Sequence, residues 1–196
     1  AELARQVDPA GLGADADRAI RPAPTTVAAD LYQAPQLVSP PVSTDVYIDT
    51  DRGTIQIEMA VLDAPLTVES FVTLARRGFY NGLPIHRVVA DFVVQGGDPR
   101  GDGSGGPGYS IRDDINQRPY VRGAVGMALD PWRDSGGSQF FITLAPQQGL
   151  QANFAAFGRV TKGMDVVLAI TPRDPSRGGN LPPGDVIKTI EIVEAP

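Results

Sequence analysis

The sequence predicts a mainly β domain: a closed antiparallel barrel with an α-helix over each open end. Three observations lead there. Short apolar runs recur at Val88–Val94, Val125–Leu129, Phe140–Leu144 and Phe154–Val160, each bounded by Gly, Pro or Asp turns. Helical spacing is confined to one segment on either side of these runs. Full closure, finally, removes the edges that a set of short strands would otherwise expose.

The elements follow in chain order. Residues 1–45 scatter Pro9, Pro22, Pro24, Pro35, Pro40 and Pro41 among Ala, Asp and Thr without periodicity, so they read as an extended arm or linker. Within the arm, Leu31, Tyr32, Leu37 and Val38 are the residues able to dock on a domain spanning 46–196. Val46 and Ile48, then Ile55, Ile57 and Met59, alternate on either side of Asp51-Arg52-Gly53, a hairpin pattern. After Pro65 the apolar positions Val68, Phe71, Val72 and Ala75 take helical spacing, with Asp63 or Thr67 as N-cap and Gly78 as the C′ residue. The strand-like runs come next. Gly163–Ile170 reads as a short second helix, and Val186–Val193 as a closing strand after the loop Pro172–Gly184.

At 196 residues the chain suits one main domain with a single sizeable core. Seventeen basic against twenty-three acidic residues give a net charge of −6 with no Lys/Arg run, which argues against nucleic acid and a polybasic membrane contact. The expected partner is protein or peptide. No cysteine is present, so disulfides and thiolate metal sites are excluded, while the redox compartment stays open. No apolar stretch approaches the ~20 residues of a membrane span, and a soluble monomer is expected. The chain does not begin with Met, which suggests processing or a longer parent and tilts the reading toward an exported or tethered chain over a cytoplasmic one.

The stretch Ile85–Asp98 carries the chemistry. It reads as a strand pair that brings Arg87, Phe92 and Gln95 together ahead of a glycine-rich turn. Gln95 lies three residues past Phe92, so a bulge or bend is needed to turn both side chains to one face.

His86-Arg87, Phe92 and Gln95-Gly96-Gly97-Asp98, followed by Gly137-Ser138-Gln139-Phe140-Phe141-Ile142, resemble the FHR…F…QGGD and GSQFFI signatures of the cyclophilin-type peptidyl-prolyl isomerases, in their bacterial form. The resemblance covers about residues 45–195 and implies an eight-stranded barrel with two capping helices. It implies an enzyme that isomerises X-Pro bonds in peptides and unfolded proteins and so assists folding. Arg87 would be the catalytic donor; Phe92, Val93, Phe141 and Leu150 the apolar pocket; and Gln95 and Gln139 its polar groups. Ala128 and Leu129 stand where the family offers backbone groups to substrate, their side chains being incidental.

The chemistry suits an arginine. An X-Pro amide is planar behind a barrier of ~18–20 kcal/mol. As the C–N bond twists, the proline nitrogen regains its lone pair, and a fixed cationic donor aimed at it favours the twisted state over the planar one. A guanidinium is always charged and rich in N–H groups, so neither proton transfer, nucleophile, metal nor cofactor is required.

Two positions depart from the family pattern. Gly149 stands where a tryptophan often precedes the pocket leucine, which removes an indole donor and argues against tight cyclosporin binding. Phe154 stands where a histidine often lines the pocket, keeping it aromatic and making it drier. The loop Asp130-Pro131-Trp132-Arg133-Asp134-Ser135 is one residue longer than the pattern and sets Trp132 beside the site, either as a contact to residues flanking proline or as an exposed anchor.

Other signals are discounted. Gly101-Asp102-Gly103-Ser104-Gly105-Gly106 satisfies G-x-G-x-x-G, but Pro107-Gly108 breaks the helix a dinucleotide site requires. Arg100-Gly101-Asp102 is a chance tripeptide, the lone histidine His86 reads as a hydrogen-bonded structural residue, and Asp113-Asp114 lack the ligand spacing of a calcium loop. The alternative reading is a non-catalytic module of the same fold that holds proline segments as a chaperone.

Overall fold

In a computed structural model, residues 43–195 are described. Residues 1–42, with most of the expected arm and its docking candidates Leu31, Tyr32, Leu37 and Val38, lie outside them. Strands β1 (Ser43–Thr50) and β2 (Gly53–Met59) form the expected hairpin, with Ile48 opposite Ile55 and Val46 opposite Ile57. Helix α1 (Pro65–Arg76) follows, then β3 (Arg87–Val89), β4 (Val93–Gly96), β5 (Ala124–Met127), β6 (Phe140–Thr143) and β7 (Ala156–Lys162). Helix α2 (Met164–Ala169) and strand β8 (Ile187–Ala195) complete the domain. Among the described residues no helix is long and apolar enough to cross a membrane.

The eight strands form one antiparallel sheet in the order β3-β4-β6-β5-β7-β2-β1-β8. It curls into a half-barrel instead of closing strand to strand, because β3 and β8 are not partners. Each has another neighbour at the seam. Val88 exchanges backbone bonds with Arg173 in the connection before β8, at 2.6 and 3.1 Å. The segment ahead of β3 meets the start of β8 through Gly82 N–H to Ile187 O at 2.7 Å and Ile85 N–H to Asp185 O at 2.8 Å. The edges are thus covered by irregular chain.

Alternation along the strands separates two apolar faces. Val46, Ile48, Ile55, Ile57, Val88, Val94, Val125, Phe140, Ile142 and Phe157 point inward and join one core with the buried face of α1. Phe71 of that helix packs at 4.9–5.5 Å between ring centroids on Tyr80, Phe140 and Phe157. On the opposite face Val93, Ala124, Phe141 and Ala156 form a second, smaller cluster with Tyr120. This outer cluster floors the candidate site.

Neither Asp63 nor Thr67 caps α1. The N-cap is Ala64, without a side-chain bond, and Pro65 opens the helix. The cap comes from far along the chain: Asp114 Oδ2 accepts from Thr67 N at 2.8 Å and from Thr67 Oγ1 at 3.1 Å. Asp63 instead pairs with Arg118 at 2.6 Å. Gly78, at φ 68°, does stand just past the C-cap Arg77. A carboxylate beside the first-turn N–H groups also meets the positive end of the helix dipole. Asp114→Ala is expected to lower the unfolding free energy by about 1–2 kcal/mol, and Asp114→Asn by less, since an amide oxygen can still accept. Urea unfolding of the three proteins measures this, and equal midpoints would remove the cap.

Candidate active site

Arg87 and Gln95 face each other across the β3–β4 hairpin as register partners, and Val89 faces Val93. Arg87 and Val89 therefore share one side of the hairpin with Val93 and Gln95, while Val88 and Val94 point into the core. The bend that the spacing of Phe92 and Gln95 demanded lies in the turn, not in the strand. Asp91 sits at φ 59° and Phe92 precedes β4, so the β4 ladder itself is regular. The turn is anchored from outside: Phe92 O accepts from Leu144 N at 2.8 Å and Asp91 O from Gln147 Nε2 at 2.9 Å.

A relay of amides then fixes the arginine. Arg87 Nη1 donates to Gln95 Oε1 at 3.1 Å, and Gln95 Nε2 donates to Gln139 Oε1 at 3.0 Å. Gln139 Nε2 in turn donates to the carbonyls of Gly103 and Gly105 at 2.9 and 2.8 Å. The guanidinium carbon also lies 5.4 Å from the Phe92 ring centroid, within cation–π range. No ion pair engages Arg87 among the described residues, so its charge is held in place without being neutralised.

Beside it lies a cavity of about 170 Å³, walled by Phe92, Val93, Phe141, Leu150 and Phe154 and bordered by Arg87, Gln95, Ala128 and Leu129. Leu150 and Phe154 come from a tight 3-10 turn, Gln148–Leu150, and the residues after it. Phe154 meets Phe141 edge to face at 5.7 Å. Of the residues singled out from the sequence, Gln139 alone lies outside this lining, at the back of the amide relay. Ala128 offers its N–H to Gln139 O at 2.9 Å, so that donor is occupied within the sheet.

Residues 45–193 match the family described as cyclophilin type peptidyl-prolyl cis-trans isomerase/CLD. The chain belongs to that family. A peptidyl-prolyl cis-trans isomerase of Synechococcus elongatus is 46% identical over 150 residues, covering 76% of this chain and 97% of the relative. One of Helicobacter pylori is 44% identical over 131 residues, covering 65% of this chain and 80% of the relative. The crystal structure of a cyclophilin type peptidyl-prolyl cis-trans isomerase of Cryptosporidium parvum in the presence of the dipeptide Ala-Pro has a TM-score of 0.70 at 30% identity, covering 76% of this chain and 99% of that one.

In this cyclophilin the glycine-rich loop is organised by a buried carboxylate. Asp98 accepts from the backbone N–H groups of Arg100, Asp102 and Gly103 at 2.7, 3.0 and 2.5 Å. Those are donors a phosphate would need, and the carboxylate would repel it, so the G-x-G-x-x-G match carries no nucleotide site. Gly97, at φ 87°, packs so closely on Ser138 O that a Cβ has no room. The pair Asp113-Asp114 is likewise used by the fold, Asp114 at the helix cap and Asp113 in bonds to Asp134.

Sequence reasoning found Val93 and Phe141 but missed the ring packed behind them. Tyr120 stacks on Phe141 at 5.6 Å, and its buried hydroxyl has no hydrogen-bond partner among the described residues. Burial pushes that phenol far above its ordinary range. Tyr120 sits on an irregular segment, where no periodicity marks a residue as inward-facing.

His86 is structural but not hydrogen-bonded as expected: it is buried at 3% exposure, and among the described residues both ring nitrogens lack a partner. Burial lowers its pKa most; Asp98 and Asp102 work to raise it, and Arg173 and Arg87 lower it further. The folded value thus lies below the unfolded one, about 6.5, and folding favours the neutral ring. Its contribution is complete above the unfolded pKa and is lost as pH falls through the folded pKa. We expect stability relative to His86→Phe to decline below about pH 6.5, by at most ~1.4 kcal/mol per pH unit for one proton. Parallel urea midpoints for the two proteins across that window would exclude the effect.

Proposed function

We propose that the 170 Å³ cavity holds the proline ring of an X-Pro segment and that Arg87 is the donor stabilising the twisted amide. The observation that carries this is the placement of an oriented guanidinium, without an ion-pair partner among the described residues, at the rim of an apolar pocket of about one ring's size. Planar and twisted amides differ in the basicity of the proline nitrogen, so a donor at this point acts mainly on the transition state. The relay through Gln95 and Gln139 holds the arginine before substrate arrives, so little reorganisation is needed during the twist. Phe92, Val93, Phe141, Leu150 and Phe154 grip the ring and exclude water, and no proton transfer is involved.

Substrates are proline-containing segments of peptides and unfolded proteins, and the working unit is a monomer. The domain runs from 46 to 196, with residues 1–45 as an arm. On the same footing, the seam between the segment ahead of β3 and the start of β8 acts as the closure of the barrel. Gly149 carries no side chain and opens onto empty space at its Cβ position, so the indole donor is missing and tight cyclosporin binding is not expected.

The test is cis/trans exchange of an Ala-Pro peptide, followed by NMR with and without protein. Faster exchange supports the isomerase. Shifted peptide resonances with unchanged exchange would instead mark a proline-binding module on this fold.

A further inference from the structure

Two larger hollows continue from the proline pocket. The first, about 480 Å³, shares Gln95, Ala128 and Leu129 with it and is flanked by Tyr109 and Trp132. The second, about 320 Å³, shares Tyr109 with the first and lies along the outer face of α1, against Leu66, Glu69, Thr73, Ile111 and Arg112. Each depression thus adjoins the next, the last two across the single ring of Tyr109. Three large apolar side chains that the domain leaves exposed lie on this line: Trp132, Tyr109 and Leu66 at 64%, 45% and 43%.

The walls are built and not loose. Tyr109 OH is hydrogen-bonded to Ser70 Oγ of α1 at 2.9 Å, pinning the ring between the two hollows. Asp113 and Asp134 exchange backbone-to-carboxylate bonds at 2.9 and 3.1 Å, and Ile111 N donates to Gly136 O at 2.8 Å. The segment carrying Tyr109 and Ile111 is therefore tied both to the helix and to the loop that presents Trp132. The near hollow is lined largely by polar side chains and loop backbone, the far one largely by apolar atoms; a track that is open to water and adjoins a substrate pocket marks a binding surface.

We propose that this track binds an extended, unfolded polypeptide, so that the protein reads an apolar side chain of the client at a distance from the proline it isomerises. The proposal rests on the proline pocket being the isomerase site. The far groove is apolar along its floor and carries one acidic and one basic residue, Glu69 and Arg112, so it fits an apolar side chain on a chain of either charge.

The test compares a peptide of about four residues centred on Ala-Pro with peptides of about twelve residues, which span ~40 Å when extended. The longer set carries one Phe placed at successive distances on either side of the proline. At one placement the long peptide is expected to be isomerised about tenfold more efficiently in kcat/KM than the short one, the factor a buried aromatic ring brings. Leu66→Glu and, separately, Thr73→Arg should return that long-to-short ratio to about one. A ratio unchanged in both variants, or a wild-type ratio of one at every placement, overturns the track. Failure of the wild type to accelerate even the short peptide would overturn the isomerase reading instead.

Discussion

Arg87→Ala is expected to lower the catalysed rate of X-Pro isomerisation by about 10²–10³-fold, the range seen when one preorganised donor to a developing charge is removed. The fold should survive, because Arg87 is only half-buried and its recorded partners are Gln95 at 3.1 Å and the Phe92 ring. No buried acid is left unpaired by its loss. Peptide binding should change far less than turnover, since the ring-gripping residues remain and the planar amide offers the guanidinium no basic nitrogen. Arg87→Lys should fall between the two: the charge is kept, but the planar fork that engages Gln95 and stacks on Phe92 is not. NMR exchange rates and peptide titrations on the three proteins separate turnover from binding. An alanine variant that retains wild-type exchange would remove Arg87 from the mechanism.

Gly126→Ala should damage the pocket with a single methyl group. Gly126 lies on β5 directly opposite Phe141, and a Cβ built there falls 2.8 Å from Phe141 Cε2 and 2.5 Å from the Tyr120 hydroxyl. Both rings belong to the outer cluster, so relief comes by pushing Phe141 toward the proline pocket and not into the barrel core. Overpacking of this kind costs about 1–3 kcal/mol of stability. Because the pocket holds only about 170 Å³, displacement of one aromatic wall should also cut kcat/KM about tenfold or more. Adding Phe141→Leu should restore stability by giving the methyl room without rebuilding the pocket, so the double variant stays a poor enzyme. Recovery of activity alongside stability would show that the wall's position does not matter.

Much of this domain is legible in its sequence. The β1–β2 hairpin and the two helices follow from local periodicity, because a side chain's face is set by its place in a strand or turn of helix, and the buried strands β4 to β6 follow from short apolar runs between turns. Arg87, Phe92 and Gln95 could be assembled from a short stretch of chain because a hairpin turns sequence neighbours into spatial ones. The cap of α1 could not. Its acceptor, Asp114, lies 47 residues away from Thr67 on a segment with no regular structure, while the nearby candidates Asp63 and Thr67 looked equally suited. Tyr120 and Gly126 were invisible for a related reason: their importance is a matter of contact with Phe141, which comes from another strand.

The family, the class of fold, the catalytic candidate and the apolar character of the pocket can all be read from the chain alone, because they depend on residue type and short-range spacing. How the sheet ends are covered, which amides steady Arg87, and that Tyr109 stands between two hollows beside the candidate pocket are matters of tertiary structure. Those features depend on distances between segments remote in the chain, and such distances are set only when the sheet curls and its loops are tied across it.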